Sequence, residues 1–266
     1  MKHLFLHIVW NVSPEIFTIG QFQLRWYGVL FALSFFLGYR ILLNVFRKET
    51  IDIKYLDKLV LYMGIGTLIG ARLGHCLLYQ PDYYLSNPLE ILKIWKGGLA
   101  SHGAAVGIII ALGIYALAEK INFLWIIDRM VIVVALSGFL IRIGNFINSE
   151  IIGKPTTLML GVIFTAHDMI PRHPVQLYEA LCYLVVFLSL LLIYFKTKLY
   201  QQKGFLFGVF LVVVFTCRFF IEFYKENQVD AEADFIINFG QLYSIPFILL
   251  GFVLLISRLL SLFRNR

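Results

Sequence analysis

Residues 124–147 read LWIIDRMVIVVALSGFLIRIGNFI, a run that is apolar almost throughout. A helix needs about 20 such residues to cross the hydrocarbon core of a bilayer. Seven stretches of the chain have this character, and they predict an all-α integral membrane protein with a single polytopic domain over residues 1–266. The seven predicted transmembrane helices are residues 24–43, 56–79, 99–118, 124–147, 175–195, 204–224 and 239–258.

The composition agrees with a membrane protein. Hydrophobic residues make up 60% of the 266 residues, and the mean hydropathy is +0.81, whereas soluble domains are usually about 45–50% apolar. The net charge of +7 is not gathered on any soluble segment, so no nucleic-acid partner is expected. The three cysteines, Cys76, Cys182 and Cys217, lie far apart in apolar runs and read as small buried hydrophobes, not as a disulfide framework or a metal motif.

Charge placement predicts the orientation. With the N-terminus outside, thirteen lysines and arginines lie on the inner side and seven on the outer side. The positive-inside rule therefore predicts an outer N-terminus and a cytoplasmic C-terminus. The outer loops are then residues 80–98, 148–174 and 225–238. We expect these loops to form a small head region, and the alternation in residues 12–27 predicts a short surface strand or hairpin.

Glycines at four-residue spacing in the second and third spans favour close helix packing. They are Gly66, Gly70, Gly74, Gly103 and Gly107. Close approach to a lipid is the alternative.

Apart from the basic residues at the span ends, three arginines lie within predicted spans: Arg72, Arg142 and Arg218. Charge at this depth costs at least roughly 2.5–3.5 kcal/mol on insertion scales, so it is retained where it faces a cavity, a partner or a ligand. Each arginine has a polar residue nearby in sequence, namely His75, Asn145 and Glu222 respectively. The pattern predicts an anion-binding site between helices.

The densest group of candidate site residues lies in the stretch RIGNFINSEIIGKPT at 142–156. Arg142 and Asn145 are three residues apart and share a helix face, and Glu150 and Gly153 follow in the loop. A guanidinium matches phosphate oxygens in bidentate geometry. The alternative is a structural pair between Arg142 and Glu150, with the asparagine capping the helix end.

Two further motifs carry charge into the membrane. In CRFFIEFYKE at 217–226, Arg218 and Glu222 are four residues apart, which suits an intrahelical ion pair or an arginine that also holds a second anion. In RHPVQLYEA at 172–180, a stripe of His173, Gln176 and Glu179 predicts a structural hydrogen-bond network.

A histidine and a tyrosine complete the candidates. His102, in SHGAAVG at 101–107, lies at the start of the third span, and histidine suits proton transfer near neutral pH. A histidine that caps the helix or bonds a lipid phosphate is equally compatible with the spacing. Gly103 leaves space beside the imidazole. Tyr27 lies at the depth of the other groups, although a belt of Trp and Tyr at the interface also explains it.

The chain resembles the prolipoprotein diacylglyceryl transferase family over residues 25 to about 249. The matching stretches are RWYGVLFALSF, GARLGHCLLY, GGLASHGAAVG, RIGNFINSEIIGKPT, RHPVQLYEA, GFLFGVFLVVVFTCRFFIEFYKE and GQLYSIPFIL. The RIGNFINSEIIG block is highly specific. One departure is Ala104, where the family usually has glycine, and its methyl group should narrow the local space slightly.

The resemblance implies transfer of the diacylglyceryl group of phosphatidylglycerol to the lipobox cysteine of a preprolipoprotein. The product is a thioether, glycerol-1-phosphate leaves, and no metal or cofactor is expected. The implied location is the bacterial plasma (inner) membrane, with the active site towards the outer face. Membrane lipid is the surrounding partner, and we expect a monomer.

The resemblance also implies site residues. The implied catalytic residues are Tyr27, His102, Arg142, Arg218 and Glu222. The implied substrate-binding residues are Arg142, Asn145, Glu150 and Gly153, to which we add Gly103.

A transporter or lipid-binding protein that uses the arginines as an anion relay is the other class of function. Such a relay requires polar residues that continue to the inner side. Here the polar groups gather at the predicted outer ends of the spans, and the inner halves are almost wholly apolar. This favours an enzyme with a one-sided site.

Overall fold

A computed structural model of the chain describes residues 7–20, 22–226 and 237–264. Within these residues there are eight α-helices: α1 (Trp26–Lys48), α2 (Ile53–Leu78), α3 (Pro81–Ser86), α4 (Ser101–Ala118), α5 (Phe123–Ile147), α6 (Val175–Lys196), α7 (Phe205–Ile221) and α8 (Phe239–Arg264). Short 3-10 turns lie at Pro88–Leu92, Ile94–Lys96, Leu199–Gln201 and Glu222–Tyr224. Much of the predicted loop 225–238 lies outside the described residues.

The predicted membrane helices are present, with boundaries close to those expected. In the described part of the chain, six helical stretches are long and apolar enough to cross a membrane. They correspond to α1, α2, α5, α6, α7 with its following turn, and α8. The remaining predicted span corresponds to α4, which is apolar but shorter. The seventh crossing and the head region therefore stay predictions.

The chain divides into two compact units, residues 1–40 with 128–266, and residues 41–127. The prediction of one domain stays a prediction.

In the unit of residues 41–127, α2 and α4 pack with their backbones in contact. A Cβ built on Gly70 would lie 2.7 Å from the Cα of Gly107, and one built on Gly103 would lie 2.7 Å from the Cα of Gly74. Real Cβ atoms do not approach backbone this closely, so a methyl group at either position would force the helices apart. The predicted packing role of these glycines is confirmed. A Cβ on Gly103 would point towards α2.

In the other unit, a buried carboxylate of α5 sets the start of α7. Asp128 accepts hydrogen bonds from the backbone nitrogens of Gly204, at 2.6 Å, and Phe207, at 2.8 Å. These are donors that a helix N-terminus leaves unpaired. Gly204 has a φ of 93°, which favours glycine. This contact fixes α7 against α5, the two helices that carry Arg218 and Arg142.

Strands form two small sheets in the same unit. The predicted hairpin is confirmed as β2 (Glu15–Ile19) paired antiparallel with β3 (Phe22–Arg25). A second sheet, which the sequence did not predict, pairs β1 (Ile8–Trp10) parallel with β4 (Val162–Phe164), and β4 antiparallel with β5 (Pro171–Arg172). Its core is a cluster of Phe146, Ile152, Val162 and Phe164, with Trp10 and Leu177 packed against it.

Candidate functional site

Arg142 lies near the end of α5, and two of its three guanidinium nitrogens have partners. Its Nε is 2.8 Å from Oε2 of Glu179 on α6, in an ion pair that lacks aligned hydrogen-bond geometry. Its Nη1 donates to Oδ1 of Asn145 at 3.3 Å. Neither contact uses Nη2. The carboxylate partner of Arg142 is therefore Glu179, and the alternative of a structural pair with Glu150 is wrong.

Amide side chains hold Glu150. Its carboxylate accepts from Nδ2 of Asn145 at 3.0 Å and from Nδ2 of Asn148 at 3.2 Å. Its backbone carbonyl accepts from Nε2 of Gln176 at 2.6 Å. Asn145 is only 5% exposed, whereas Glu150 is exposed. Asn145 thus links Arg142 to Glu150.

The turn that carries Glu150 is strained. Its neighbours Ser149 and Ile151 have φ values of 56° and 54°. This left-handed conformation is uncommon for any residue other than glycine and a clear outlier for a β-branched one such as isoleucine. Strain of this kind costs about 1–3 kcal/mol per residue and collects at functional sites. The turn therefore holds the Glu150 carboxylate in a fixed, exposed position.

Lys225 joins two buried carboxylates. Its Nζ is 3.4 Å from Oε1 of Glu179 and 3.3 Å from Oε2 of Glu222. All three side chains are at most 10% exposed. Glu179 therefore bridges two cations. The residues Arg142, Asn145, Glu150, Glu179, Glu222 and Lys225 are called the Arg142 cluster below.

Arg218 does not pair with Glu222 as the sequence predicted. Within residues 7–226, the ion partner of Glu222 is Lys225. Arg218 lines one narrow crevice with Tyr183 and Glu179 of α6, and its charge interacts electrostatically with Glu179 and Glu222. The Tyr183 ring packs on α5, since a Cβ on Gly138 would lie 2.7 Å from it. Arg218 thus lies beside the cluster without forming an ion pair to Glu222.

Tyr27 and Gly153 lie where the backbone passes close to the cluster. A Cβ on Gly144 would lie 2.9 Å from the Tyr27 ring, so this ring packs beside Asn145 on α5. Gly153 donates its N–H to the carbonyl of His173 at 3.1 Å and is bridged to Lys225. A Cβ there would lie 2.8 Å from the carbonyl oxygen of Tyr224. Gly153 therefore allows the loop to reach Lys225.

The loop around Gly153 is tied down by Arg172. This residue contacts Asp168 at 2.5 Å and Glu226 at 3.0 Å, and it donates to the carbonyl of Gly153 at 3.2 Å. The Arg172 guanidinium holds the pKa of the Asp168 carboxyl below its usual range. Burial lowers the pKa of His173, whose Nδ1 lies 3.2 Å from the Tyr178 hydroxyl.

His102 and Arg72 belong to the other unit. His102 is exposed on the first turn of α4 and lines, with Gly103, an apolar groove of about 840 Å³ along α2 and α4.

Arg72 is buried, with 3% of its surface exposed, and donates to four backbone carbonyls. These are the carbonyls of Glu90, Ile91, Gly97 and Gly98, at 2.6, 2.9, 2.5 and 3.2 Å. Arg72 is thus a structural clamp, and two of the three predicted arginines remain as anion-binding candidates.

Sequence reasoning missed Lys225 and did not assign Glu179 to the site. A signal existed for both. Glu179 continues the polar stripe of α6, and Lys225 lies three residues after Glu222. Their roles became visible only when α6 and the end of α7 were placed together.

The arrangement suits an anion. A guanidinium that is fixed at Nε by a carboxylate and at Nη1 by an amide can present Nη2 to an oxyanion. The buried carboxylates of Glu179 and Glu222 hold the cations in position and reduce the cost of burying them.

Comparisons with known proteins agree on one family. A family model described as prolipoprotein diacylglyceryl transferase matches residues 14–257, which include every residue of the Arg142 cluster. The chain is 48% identical over 250 residues to a protein of Tolumonas auensis, covering 94% of this chain and 96% of that one. It is 45% identical over 250 residues to a protein of Chloroherpeton thalassium (94% and 93% covered) and 42% identical over 263 residues to one of Bacteroides fragilis (94% and 95% covered). All three relatives are named phosphatidylglycerol–prolipoprotein diacylglyceryl transferase.

Proposed function

We propose, from the premise that this chain belongs to the prolipoprotein diacylglyceryl transferase family, that it transfers the diacylglyceryl group of phosphatidylglycerol to the lipobox cysteine of a preprolipoprotein. The family match over residues 14–257 is the observation that carries this conclusion, and it confirms the resemblance found in the motifs. The protein is a membrane transferase of lipoprotein biosynthesis. The reaction is the first step of lipoprotein maturation.

The chemistry makes two demands on the site. A cysteine thiol has a pKa of about 8.5 and attacks as the thiolate, so a base or a positive field must favour loss of its proton. The bond between the glyceryl carbon and the phosphate oxygen then breaks, and the new thioether forms as glycerol-1-phosphate leaves. Negative charge grows on the departing oxygen. Fixed guanidinium groups in a low-dielectric pocket stabilise such charge well.

Arg142 is the proposed clamp for the phosphate of phosphatidylglycerol. Its contacts to Glu179 and Asn145 hold Nε and Nη1 of the guanidinium, which leaves Nη2 to bind a phosphate oxygen. Glu150 and Asn145 bind substrate beside it, because the Glu150 carboxylate is exposed on a strained turn. Gly153 contributes by letting this loop approach Lys225.

Arg218 is the proposed partner of the leaving phosphate. The ion pair of Glu222 is with Lys225, whereas Arg218 lines a crevice with Glu179 and Tyr183. In the proposed mechanism Glu222 therefore contributes to the electrostatic field of the cluster through Lys225, and the Glu179 carboxylate attracts the Arg218 guanidinium. Tyr27 supplies a phenol at the depth of Asn145, where its ring packs on Gly144.

His102 is the proposed base for the thiol, and Gly103 a substrate contact. These two assignments rest on the chemistry of imidazole and on the family motif SHG at 101–103.

The proposed setting is a bilayer crossed seven times, with α4 as the third span. The bias of basic residues towards the predicted inner side supports an outer N-terminus, a cytoplasmic C-terminus and an outward-facing site in the bacterial inner membrane. We propose that the enzyme acts as a monomer, since the Arg142 cluster is built within one chain.

A direct assay tests the function. Purified protein is incubated with vesicles of phosphatidylglycerol and a lipobox peptide, and the peptide is analysed by mass spectrometry. We expect a mass gain of one diacylglyceryl group on the cysteine. A peptide with serine at that position, and vesicles of phosphatidylethanolamine, should give no adduct. Absence of the adduct with folded protein would refute the assignment.

A further inference from the structure

The apolar groove along α2 and α4 lies wholly within the unit of residues 41–127. Its walls include every fourth residue of 61–77 on α2 and every fourth residue of 102–114 on α4, so each wall is one side-chain ridge of a helix. The glycines at which the two backbones touch form its floor. Among the described residues that line it, those with polar side-chain atoms are His102 at one end and Tyr62 at the other. Two ridges with a groove between them are the shape into which a third helix packs.

We propose that this groove, called the α2–α4 groove below, binds the apolar segment of the preprolipoprotein signal peptide as a helix, with the lipobox cysteine at the His102 end. This inference rests on the proposed function, because it names where one of the two substrates of the transferase docks.

The length of the groove favours a helix over the chains of a lipid. Its lining on α2 extends from Leu61 to Leu78, about 26 Å at 1.5 Å per residue. The hydrocarbon core of a bilayer is about 30 Å thick, so a lipid of one leaflet reaches through about half of it. A lipid from the outer leaflet would therefore leave the inner part of the groove open. The apolar segment of a signal peptide has about 7–15 residues, or roughly 10–22 Å as a helix, and it can follow most of the groove.

The two ends of the groove match the two ends of a signal peptide. One step before Leu61, the same ridge of α2 carries Asp57, an exposed carboxylate, and signal peptides begin with positively charged residues. The proposed orientation places this end on the cytoplasmic side. At the outer end lies His102, the proposed base for the thiol, and the lipobox cysteine follows the apolar segment. Both ends therefore give the peptide the same direction in the groove.

Photo-crosslinking tests the location. A benzophenone amino acid is placed at Ile110, which lines the groove, or at its neighbour Ile109, which is equally exposed on α4 but outside the lining. Each purified protein is illuminated in phosphatidylglycerol vesicles with a preprolipoprotein whose lipobox cysteine is replaced by serine, so that docking is read without transfer. We expect the preprolipoprotein to be captured at position 110 and not at position 109.

Three results of this experiment would overturn the proposal. They are equal capture at the two positions, no capture at position 110, and capture there of phosphatidylglycerol that added preprolipoprotein does not displace. Mass spectrometry of the crosslinked protein distinguishes the peptide from the lipid.

Steady-state kinetics provide a second measurement that needs no crosslinker. Ile110→Trp fills part of the groove, so it should raise the KM for the preprolipoprotein about tenfold and leave the KM for phosphatidylglycerol unchanged. Ile109→Trp is the matched control and should change neither value. An unchanged KM for the preprolipoprotein in folded Ile110→Trp, or a change for phosphatidylglycerol alone, would contradict the proposal. Because docking is read without transfer, capture at position 110 combined with a wild type that forms no adduct would refute the proposed function instead.

Discussion

At the scale of single residues, Arg142 gives the sharpest prediction. Lysine at this position keeps the charge but loses the planar fork, and one ammonium group cannot replace contacts to Glu179, Asn145 and a phosphate together. We expect Arg142→Lys to lower the transfer rate by about 10²–10³-fold, the usual loss for one donor to a developing oxyanion. Initial rates of adduct formation by mass spectrometry measure this.

Arg40→Lys is the matched control for Arg142→Lys. Arg40 is exposed on α1, so its replacement should leave the rate unchanged. Both variants should keep the thermal unfolding midpoint of the wild type within a few degrees. Near-normal transfer in Arg142→Lys would remove the clamp from the mechanism.

His102 gives a second prediction at this scale. His102→Gln keeps a hydrogen-bonding group but cannot accept the thiol proton, so it should lose most of the transfer rate. Initial rates of adduct formation check this prediction. A glutamine variant with substantial activity would leave deprotonation of the thiol to the positive field of the arginines and to solvent.

Sequence spacing predicted contacts within α5 better than contacts between helices. Arg142 and Asn145 share a helix face and are hydrogen-bonded, and Asn145 reaches Glu150 in the loop that follows. Spacing within one helix says nothing about a neighbour on another helix, so it offered Glu150 as the alternative partner of Arg142 and Glu222 as the partner of Arg218. Glu179, the ion-pair partner of Arg142, comes from α6, as does Tyr183, which lines a crevice with Arg218.

At the scale of elements, Lys225 links α6 to the turn after α7. Lys225→Met leaves Glu179 and Glu222 without their shared cation, and breaking a buried pair in this way costs about 3–5 kcal/mol. We expect a clear fall in the thermal unfolding midpoint in detergent. Lys225→Arg should stay close to the wild type, as should Lys198→Met at an exposed position. A methionine variant as stable as the wild type would show that Lys225 does not stabilise this junction.

The β4–β5 segment should be sensitive to acid through Asp168. Its pKa is lowered in the folded protein, chiefly by the hydrogen bond to Arg172. The stabilisation is therefore complete above the unfolded-state pKa of about 3.9, and it is lost as pH falls through the lower folded-state value. Hydrogen exchange, corrected for intrinsic rates, should show residues 162–172 losing protection below about pH 4. Asp168→Asn should have lower protection of these residues at neutral pH and should lose little more of it in acid. If this variant lost as much protection in acid as the wild type does, Asp168 would not be the group responsible.

Long helices were predictable because their apolar runs are a local signal. The hairpin of residues 15–25 was predictable from alternation for the same reason. The sheet of β1, β4 and β5 was not, since its strands have two or three residues each and β1 pairs with residues 162–164. Such short strands lack a period that can be read from the chain.

At the scale of the whole molecule, orientation is the testable property. A reporter fused after Arg266 should give a cytoplasmic signal, and one inserted after Asn87 should give an external signal, because the basic residues favour this arrangement. Paired phosphatase and fluorescent-protein fusions read both sides. An external signal at Arg266 would reverse the orientation and place the site on the cytoplasmic face.

Charge counting predicts which side of the membrane a loop occupies, but it does not predict how helices pack. The division into two compact units was therefore not predicted from the sequence.

The clamp formed by Arg72 has a consequence for the synthesis of the protein on the ribosome. Its four carbonyl acceptors lie 18 to 26 residues further along the chain. A ribosome adds about 5–20 residues per second, so α2 emerges roughly one to five seconds before the last of these acceptors exists. During that interval its guanidinium has none of its final partners, at a cost of roughly 2.5–3.5 kcal/mol on insertion scales. The partners that offset this cost, the carbonyls of residues 90–98, are therefore synthesised only after α2 itself.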